Sequence, residues 1–227
     1  MQKEAVSSEI RTFLIADVRG YTRFTLENGD AAAARLASRF AGLAHEVVDA
    51  YGGEVVELRG DEALAVFVSA RQALWAGSAL QERFAAALAA DPSLPLHVGI
   101  GIDAGEAIPV EGGYRGAALN LAARLCSIAE RGEVLCSESV VHLARRLEGL
   151  EYRPRSMVML KGFAEPVAVV KVVRADESVD TAPKAEIQPP STLEQALPVG
   201  GFLGSLARGT LVARERELEQ ALERVKA

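Results

Sequence analysis

The chain has 227 residues, of which 49% are hydrophobic and 25% charged, a composition typical of a globular protein with its own core. Its 25 Lys and Arg residues against 31 Asp and Glu give a formal net charge of −6, with no polybasic segment. We therefore expect neither a nucleic acid partner, which needs clustered cations to neutralise phosphates, nor a membrane span, which needs about 18 uncharged apolar residues in a row.

The N-terminus and the cysteines both favour a cytoplasmic protein. Residues 1–11 contain no apolar signal segment. Cys126 and Cys136 lack the Cys-x-x-Cys spacing and the clustered histidines of a zinc site. We therefore expect two reduced thiols in the core of a cytoplasmic protein.

The first part of the chain alternates between strand and helix patterns. Residues 13–18 form a short apolar run of strand length that ends in an acid. Hydrophobic residues at helical spacing predict a helix over residues 30–51, with Asp30 as its N-cap. Two β-rich runs, 54–58 and 63–68, lie on either side of a glycine and predict a hairpin.

The middle of the chain continues the alternation. An alanine-rich segment predicts a helix over about 70–90, and residues 96–102 predict a strand. The Asp-Ala-Gly sequence at 103–105 predicts a turn, and residues 106–110 a partner strand. A further helix is predicted over about 117–129.

The last predicted elements complete one α+β domain. A strand is predicted at 133–137, a helix at 139–147, and two closing strands at about 150–160 and 166–173. Because helices are interleaved with hairpins, we expect a mostly antiparallel or mixed sheet with helices packed on it.

The composition changes after residue 174. Four of the nine prolines lie between residues 183 and 198, among Ser, Thr, Glu and Gln. We therefore predict a domain at 1–174, a proline-rich linker at 175–200, and a short C-terminal helical segment at 201–227.

Two acids end predicted elements that can be neighbours in the sheet. Asp17 closes the first strand, and Asp61 lies at the tip of the hairpin. Carboxylates from two elements suit Mg²⁺ or Mn²⁺, which keep some water and also bind substrate phosphates. The alternative is two solvated turn acids without a role.

Three further features carry groups suited to a nucleotide. Gly20 opens a helix whose free backbone amides, together with the Thr22 hydroxyl, could hold phosphate. Asn120 and Arg124 are four residues apart on one helix face, where an amide and a guanidinium suit a ribose and a phosphate. Lys161 lies between the two closing strands, either as a phosphate ligand or as part of a turn.

Five segments in this order resemble the catalytic domain of class III nucleotidyl cyclases over about residues 10–173. They are FLIADVRGYTRF, VVELRGDEALAVF, LHVGIGIDAGEA, YRGAALNLAARL and LKGFAEPVAV. The resemblance implies a ferredoxin-like βαββαβ core, a homodimer with shared clefts, and an enzyme that converts ATP or GTP into a cyclic nucleotide. It also implies two Mg²⁺ or Mn²⁺ ions in each active site.

The same resemblance assigns the metal and phosphate ligands. Asp17 and Asp61 match the two aspartates that bind the metal ions. Gly20, Tyr21 and Thr22 match the turn that wraps the β- and γ-phosphates.

The remaining roles belong to residues that the family takes from the second subunit. Asn120 and Arg124 match the pair that orients the ribose and stabilises charge on the α-phosphate, and Lys161 matches a lysine on the terminal phosphates. Glu57 and Gly113 stand at the two positions that read the purine base. Glu57 is the guanine-type choice, whereas Gly113 has no side chain.

Three other interpretations of these motifs remain open. The first is a degenerate cyclase-like module that binds nucleotide without turnover, and the second is a structural dimerisation module. The hairpin also resembles that of GGDEF diguanylate cyclases, although Arg59 stands where that motif has a second glycine. The tail resembles the segment that opens an ATPase domain in large bacterial regulators, so a downstream ATPase domain is expected.

Overall fold

The computed structural model describes residues 8–160, 162–163 and 165–175. Eight strands and five helices occur in this part of the chain. The strands are β1 (Glu9–Val18), β2 (Glu54–Arg59), β3 (Glu62–Phe67), β4 (Val98–Val110), β5 (Gly113–Arg115), β6 (Val134–Ser137), β7 (Leu150–Val158) and β8 (Val167–Arg174). The helices are α1 (Tyr21–Asn28), α2 (Asp30–Ala50), α3 (Ala70–Ala90), α4 (Ala117–Ile128) and α5 (Glu138–Ala144).

The strands form one sheet in the order β2-β3-β1-β4-β6-β8-β7, and β5 pairs with β4 outside this path. All of the neighbouring pairs are antiparallel except β4 with β6. The first four strands and the helices between them give the strand order of a βαββαβ ferredoxin-like core. The predicted α+β class and mostly antiparallel sheet are therefore confirmed.

The two faces of the sheet carry different helices. Leu14 of β1 packs in the larger core cluster, together with residues of α2, α3 and α5. Phe13 and Ile15 point to the opposite face and pack with Ala118 and Ala122 of α4. Because successive strand residues alternate between faces, Asp17 lies on the α4 face.

The α4 face depends on glycines in β4. A Cβ at Gly101 would overlap the backbone of α4 at Ala122 and Cys126, and a Cβ at Gly105 would press on Ala118 at 3.2 Å. The missing side chains let the helix lie directly on the strand. This close packing holds α4 at a defined position over the end of β1.

Two local predictions were wrong. The expected turn at 103–105 is absent, because β4 runs unbroken from Val98 to Val110 and pairs with the whole of β1. Sheet pairing outweighs the local turn preference of Asp-Ala-Gly there, and 106–110 continues that strand rather than pairing with it. Asp30 is the first residue of α2 rather than its N-cap, which is Gly29.

The expected linker at 175–200 and helical segment at 201–227 lie outside the described residues, apart from Ala175. The domain boundary and the downstream ATPase domain stay predictions. Across the described part of the chain, every helix is too short or too polar to cross a membrane.

A buried carboxyl group lies where the turn was expected. Asp103 is 5% exposed and accepts a hydrogen bond from the Ser137 hydroxyl. Burial raises the pKa of Asp103 to about 6, although hydrogen bonds from Ser137 and the Ala104 backbone lower it. The unfolded chain ionises this group near 3.8, so the folded protein holds the proton over a pH range in which the unfolded chain has lost it.

We expect this group to make the domain less stable as the pH rises. The stability that Asp103 contributes in its protonated form is fully present below about pH 4 and is lost as the pH passes 6. Asp103→Asn keeps a hydrogen-bond acceptor but cannot ionise, so it should exceed the wild type in unfolding free energy at pH 8 by up to about 3 kcal/mol. Urea unfolding at pH 5 and pH 8 measures this, with the exposed Asp49→Asn as control. Equal pH dependence in Asp103→Asn and wild type would contradict the prediction.

Candidate active site

The two predicted metal ligands lie together at one corner of the sheet. Antiparallel pairing places Asp17 opposite Glu62 of β3 on one side and opposite Gly99 of β4 on the other. The hairpin turn is attached to the end of β1, because the Val18 amide donates to the Asp61 carbonyl at 3.0 Å. Three acids, Asp17, Asp61 and Glu62, therefore surround the end of β1.

The charges at this corner act on each other. Burial raises the pKa of Asp17, the negative charges of Asp61 and Glu62 raise it further, and the guanidinium of Arg19 opposes both effects. Arg19 Nη1 lies 2.6 Å from Asp17 Oδ2. Negative charge is therefore concentrated at the end of β1, and the neighbouring Arg19 guanidinium compensates it at Asp17.

This donor set fits a hard divalent cation. Carboxylate oxygens are the ligands that Mg²⁺ and Mn²⁺ prefer, and these ions complete their shells with water and substrate phosphates. Among the described residues no three His, Cys, Asp or Glu side chains converge as a ready-made cage. Asp17 and Asp61 would therefore hold a cation whose shell is completed by water and, when a nucleotide is bound, by its phosphates.

The turn after β1 offers amides beside the acids. Gly20 has a φ of 82°, in the left-handed region that favours glycine, and α1 begins at the next residue. The first helical hydrogen bond runs from the Phe24 amide to the Gly20 carbonyl, so the amides of residues 21–23 have no helical partner. Tyr21 packs against the core and donates its hydroxyl to the Ala33 carbonyl, whereas Thr22 is exposed. The backbone amides of residues 21–23 and the Thr22 hydroxyl are thus available to phosphates, whereas the Tyr21 side chain is not.

The helix pair points away from this corner. Ala122 faces the sheet, and at 100° per residue Asn120 and Arg124 lie about 160° from it on either side. Both side chains are exposed and have no hydrogen-bond or ion-pair partner in the described ranges. One chain therefore does not bring Asn120 and Arg124 to Asp17 and Asp61.

Glu57 and Gly113, the two positions expected to read the purine base, do not line the same cavity. Glu57 is opposite Leu64 on the α4 face, and its Oε1 is paired with Arg59 Nε at 2.5 Å. Gly113 lines a cavity of about 400 Å³ with Tyr114, but Glu57 does not line that cavity. Lys161 lies outside the described residues. A larger cavity, about 640 Å³, lies between α3 and β8 and includes none of the predicted site residues.

Three residues at this corner were not predicted as site residues. Arg19 lies two positions after Asp17, and this spacing in an extended segment would have placed both on one face. Glu62, directly after Asp61, offered the same kind of signal through hairpin pairing. Nothing local to Gly99 predicted that it lies beside the Arg19 guanidinium.

Solved cyclase structures share this fold. CyaB, an adenylyl cyclase of P. aeruginosa, has a TM-score of 0.66 and 24% identity, over 77% of this chain and 98% of that one. The guanylyl cyclase Cya2 has a TM-score of 0.65 and 25% identity, over 77% and 96%. A cyclase/hydrolase from Silicibacter pomeroyi has a TM-score of 0.66 and 25% identity, over 74% and 98%.

Sequence comparison agrees with the structural one. A Rhizobium meliloti protein with the provisional name adenylate cyclase 3 is 26% identical over 172 residues, which are 74% of this chain. The match spans 29% of that protein's length. No protein-family model matches the chain.

Proposed function

The described domain belongs, by its fold and by the order of its motifs, to the class III nucleotidyl cyclase catalytic domains, and we propose that it cyclises a purine nucleoside triphosphate. In that reaction the ribose 3′-oxygen bonds to the α-phosphorus, the bond from that phosphorus to pyrophosphate breaks, and the hydroxyl proton is released to solvent. The products are a 3′,5′-cyclic nucleotide and pyrophosphate.

The observation that carries this proposal is the corner formed by Asp17 and Asp61. The ends of β1 and the β2–β3 hairpin are joined by a backbone hydrogen bond of 3.0 Å. On a cyclase fold, two carboxylates that act on each other, together with the free amides that follow β1, support a site for a metal-bound triphosphate. Mg²⁺ or Mn²⁺ bound there would lower the pKa of the 3′-hydroxyl and neutralise the triphosphate.

The residues of the chain have separate tasks in this scheme. Asp17 and Asp61 would hold the cations. The amides at the start of α1 and the Thr22 hydroxyl donate hydrogen bonds to the β- and γ-phosphates. Arg124 would stabilise the charge that develops at the α-phosphate, and Asn120 would orient the ribose.

Two chains are needed to assemble these tasks. Asn120 and Arg124 lie on the outer face of α4, directed away from the acids of their own chain. In a two-fold dimer, each chain would present this face to the acids of its partner. We therefore propose a homodimer with two equivalent composite sites.

Product analysis tests the proposal directly. The full chain is incubated with GTP or ATP and Mn²⁺, and cyclic nucleotide and pyrophosphate are quantified by chromatography. We expect both products in equal amounts, and none from Asp17→Asn prepared in the same way. If nucleotide binds and no cyclic product appears, the chain is not a cyclase under these conditions.

One observation favours a second candidate, a module that binds nucleotide without turnover. The Glu57 carboxylate is already paired with Arg59, and Gly113 offers no side chain to a base. This candidate requires binding of GTP or ATP with no cyclic product. The same incubation, combined with calorimetric titration of the nucleotide, separates the two functions.

Glu57 predicts the preferred base. A carboxylate accepts hydrogen bonds from the N1–H and 2-amino groups of guanine, whereas it meets the N1 lone pair of adenine. We expect cGMP to exceed cAMP by about tenfold at equal GTP and ATP, since an unpaired polar group costs about that factor. Glu57→Lys should remove the preference and Glu54→Gln, an exposed acid nearby, should keep it. Mainly cAMP from the wild type would contradict the role of Glu57. Gly113 is left unchanged because its φ of 151° would strain any side chain.

A further inference from the structure

The Arg19 guanidinium joins the acidic corner to the end of α4. Its Nη1 lies 2.6 Å from Asp17 Oδ2, and its Nη2 donates to the Cys126 carbonyl in the last turn of the helix. That carbonyl lies in the last turn of α4 and also accepts a hydrogen bond from the Ala129 amide at 3.1 Å, so Arg19 adds a second donor to it. One side chain therefore contacts both a predicted metal ligand and the helix that carries Asn120 and Arg124.

The chain provides a specific position for this guanidinium. A Cβ at residue 99 would overlap the Arg19 guanidinium, so the guanidinium lies in the space that Gly99 leaves open. The backbone amide of Arg19 donates a hydrogen bond to the His97 carbonyl at 2.6 Å. This bond fixes the backbone of residue 19 beside the start of β4. The Arg19 side chain is 21% exposed.

The position is not optimal for the arginine itself. Arg19 Nε is buried and has no hydrogen-bond partner among the described residues. A buried donor without a partner costs free energy. The bonds from its two terminal nitrogens to Asp17 and to the Cys126 carbonyl offset this cost.

We propose that Arg19 is a positioning residue with two roles. Its guanidinium is the counter-cation of the Asp17 carboxylate and competes with a divalent metal ion for that carboxylate. Its hydrogen bond to the Cys126 carbonyl holds α4 in place. The inference rests on the proposed metal site at Asp17 and Asp61. A metal ion at Asp17 meets the positive charge of Arg19, so the arginine lowers metal affinity. The bond to Cys126 keeps α4 at the end of β1, where its outer face is presented to the partner chain.

Two effects of opposite sign distinguish this role from a merely structural one. In Arg19→Gln the competing charge is lost, so Mn²⁺ should bind about tenfold more tightly. The same variant weakens the hydrogen bond to the Cys126 carbonyl that holds α4 in place, so kcat should fall severalfold. Arg19→Lys keeps the positive charge, but an ammonium group cannot bond to Asp17 and to the Cys126 carbonyl as the planar guanidinium does. Its Mn²⁺ affinity should therefore stay within about twofold of wild type while its kcat falls.

The experiment titrates nucleotide-free full-length protein with Mn²⁺ and follows free Mn²⁺ by electron paramagnetic resonance. The variants are Arg19→Gln, Arg19→Lys and, as matched control, Arg23→Gln, whose arginine is exposed and paired with Glu27 on α1. Thermal melts in the absence of metal establish that each variant is folded. The control should bind Mn²⁺ as the wild type does, and kcat is measured separately with saturating Mn²⁺.

Each outcome bears on a defined statement. Unchanged or weaker Mn²⁺ binding in a folded Arg19→Gln overturns the competition, as does equal tightening in Arg23→Gln. An unchanged kcat in Arg19→Gln overturns the statement that the hydrogen bond to Cys126 positions α4 for catalysis. Absence of Mn²⁺ binding in every variant overturns the metal site, and with it both the proposed function and this inference. If Arg19→Gln does not fold, the inference stands or falls on Arg19→Lys, and an Mn²⁺ affinity in that variant more than about twofold from wild type, or an unchanged kcat, overturns it.

Discussion

Replacing either Asp17 or Asp61 with Asn is expected to reduce cyclase turnover by about 10³-fold or more while the domain stays folded. Metal ions contribute several kcal/mol to stabilising the transition state of such reactions, and each 1.36 kcal/mol is worth about a factor of ten in rate. Asn has the shape of Asp and lacks the charge that holds a divalent cation. The loss should therefore appear in kcat at saturating Mn²⁺.

The stability of these variants should move little or in the opposite direction. Burial and the neighbouring charges of Asp61 and Glu62 raise the pKa of Asp17, so its ionised form is disfavoured in the metal-free fold. The amide oxygen introduced by Asp17→Asn can still accept a hydrogen bond from Arg19. We expect unfolding free energies within about 1 kcal/mol of wild type, measured without metal.

Metal-dependent melting provides a second measurement on the same proteins. Mn²⁺ should raise the Tm of the wild type, since a ligand that binds only the folded state stabilises it. The Tm of Asp17→Asn should not respond. Asp49→Asn, an exposed acid at the end of α2, is the control and should behave as wild type in both assays. Full turnover by a pure Asp17→Asn or Asp61→Asn protein would contradict the metal assignment.

Asn120→Ala and Arg124→Ala are each expected to lower kcat by two to three orders of magnitude, with a much smaller change in KM. A single donor to transition-state charge is worth about 2.7–4 kcal/mol, and its removal acts on the rate rather than on ground-state binding. Arg131→Ala removes another exposed arginine shortly after α4 and serves as the control. A change in KM alone would show that this helix face only anchors the substrate.

Mixing two inactive variants tests whether the site is shared between chains. Asp17→Asn supplies an intact α4 face, and Arg124→Ala supplies intact acids. If the chains exchange freely, half of the dimers are mixed, and each of these has one intact site of two, so about a quarter of wild-type activity should return. A mixture that exchanges subunits and stays inactive would show that each α4 serves its own chain.

Much of the fold follows from local patterns in the sequence. Strand-length apolar runs and helical spacing predicted the α+β class and nearly every long element, because burial of one face imposes a period that survives in the residues themselves. The acids at 17 and 61 were predicted as a pair because strand ends and hairpin tips are also local features. Their approach, through the Val18 amide and the Asp61 carbonyl, agrees with that expectation.

The predictions that failed depend on partners far away in the chain. Asp-Ala-Gly at 103–105 predicts a turn by itself, but ten residues of β1 pair along β4 and keep that segment extended. The buried position of Asp103 beside Ser137 follows from the same pairing. A local turn preference is small compared with a complete ladder of backbone hydrogen bonds.

By itself, the sequence determined which side chains can do chemistry and on which kinds of element they lie. Only the tertiary structure decided that Arg19 lies in the space left by Gly99, in contact with both Asp17 and the Cys126 carbonyl. It also decided that Asn120 and Arg124 face away from the acids of their own chain. The physical reason is that side-chain type and spacing record burial and local period, whereas contacts between residues 19, 99 and 126 arise from the packing of α4 on the sheet, which no local pattern encodes.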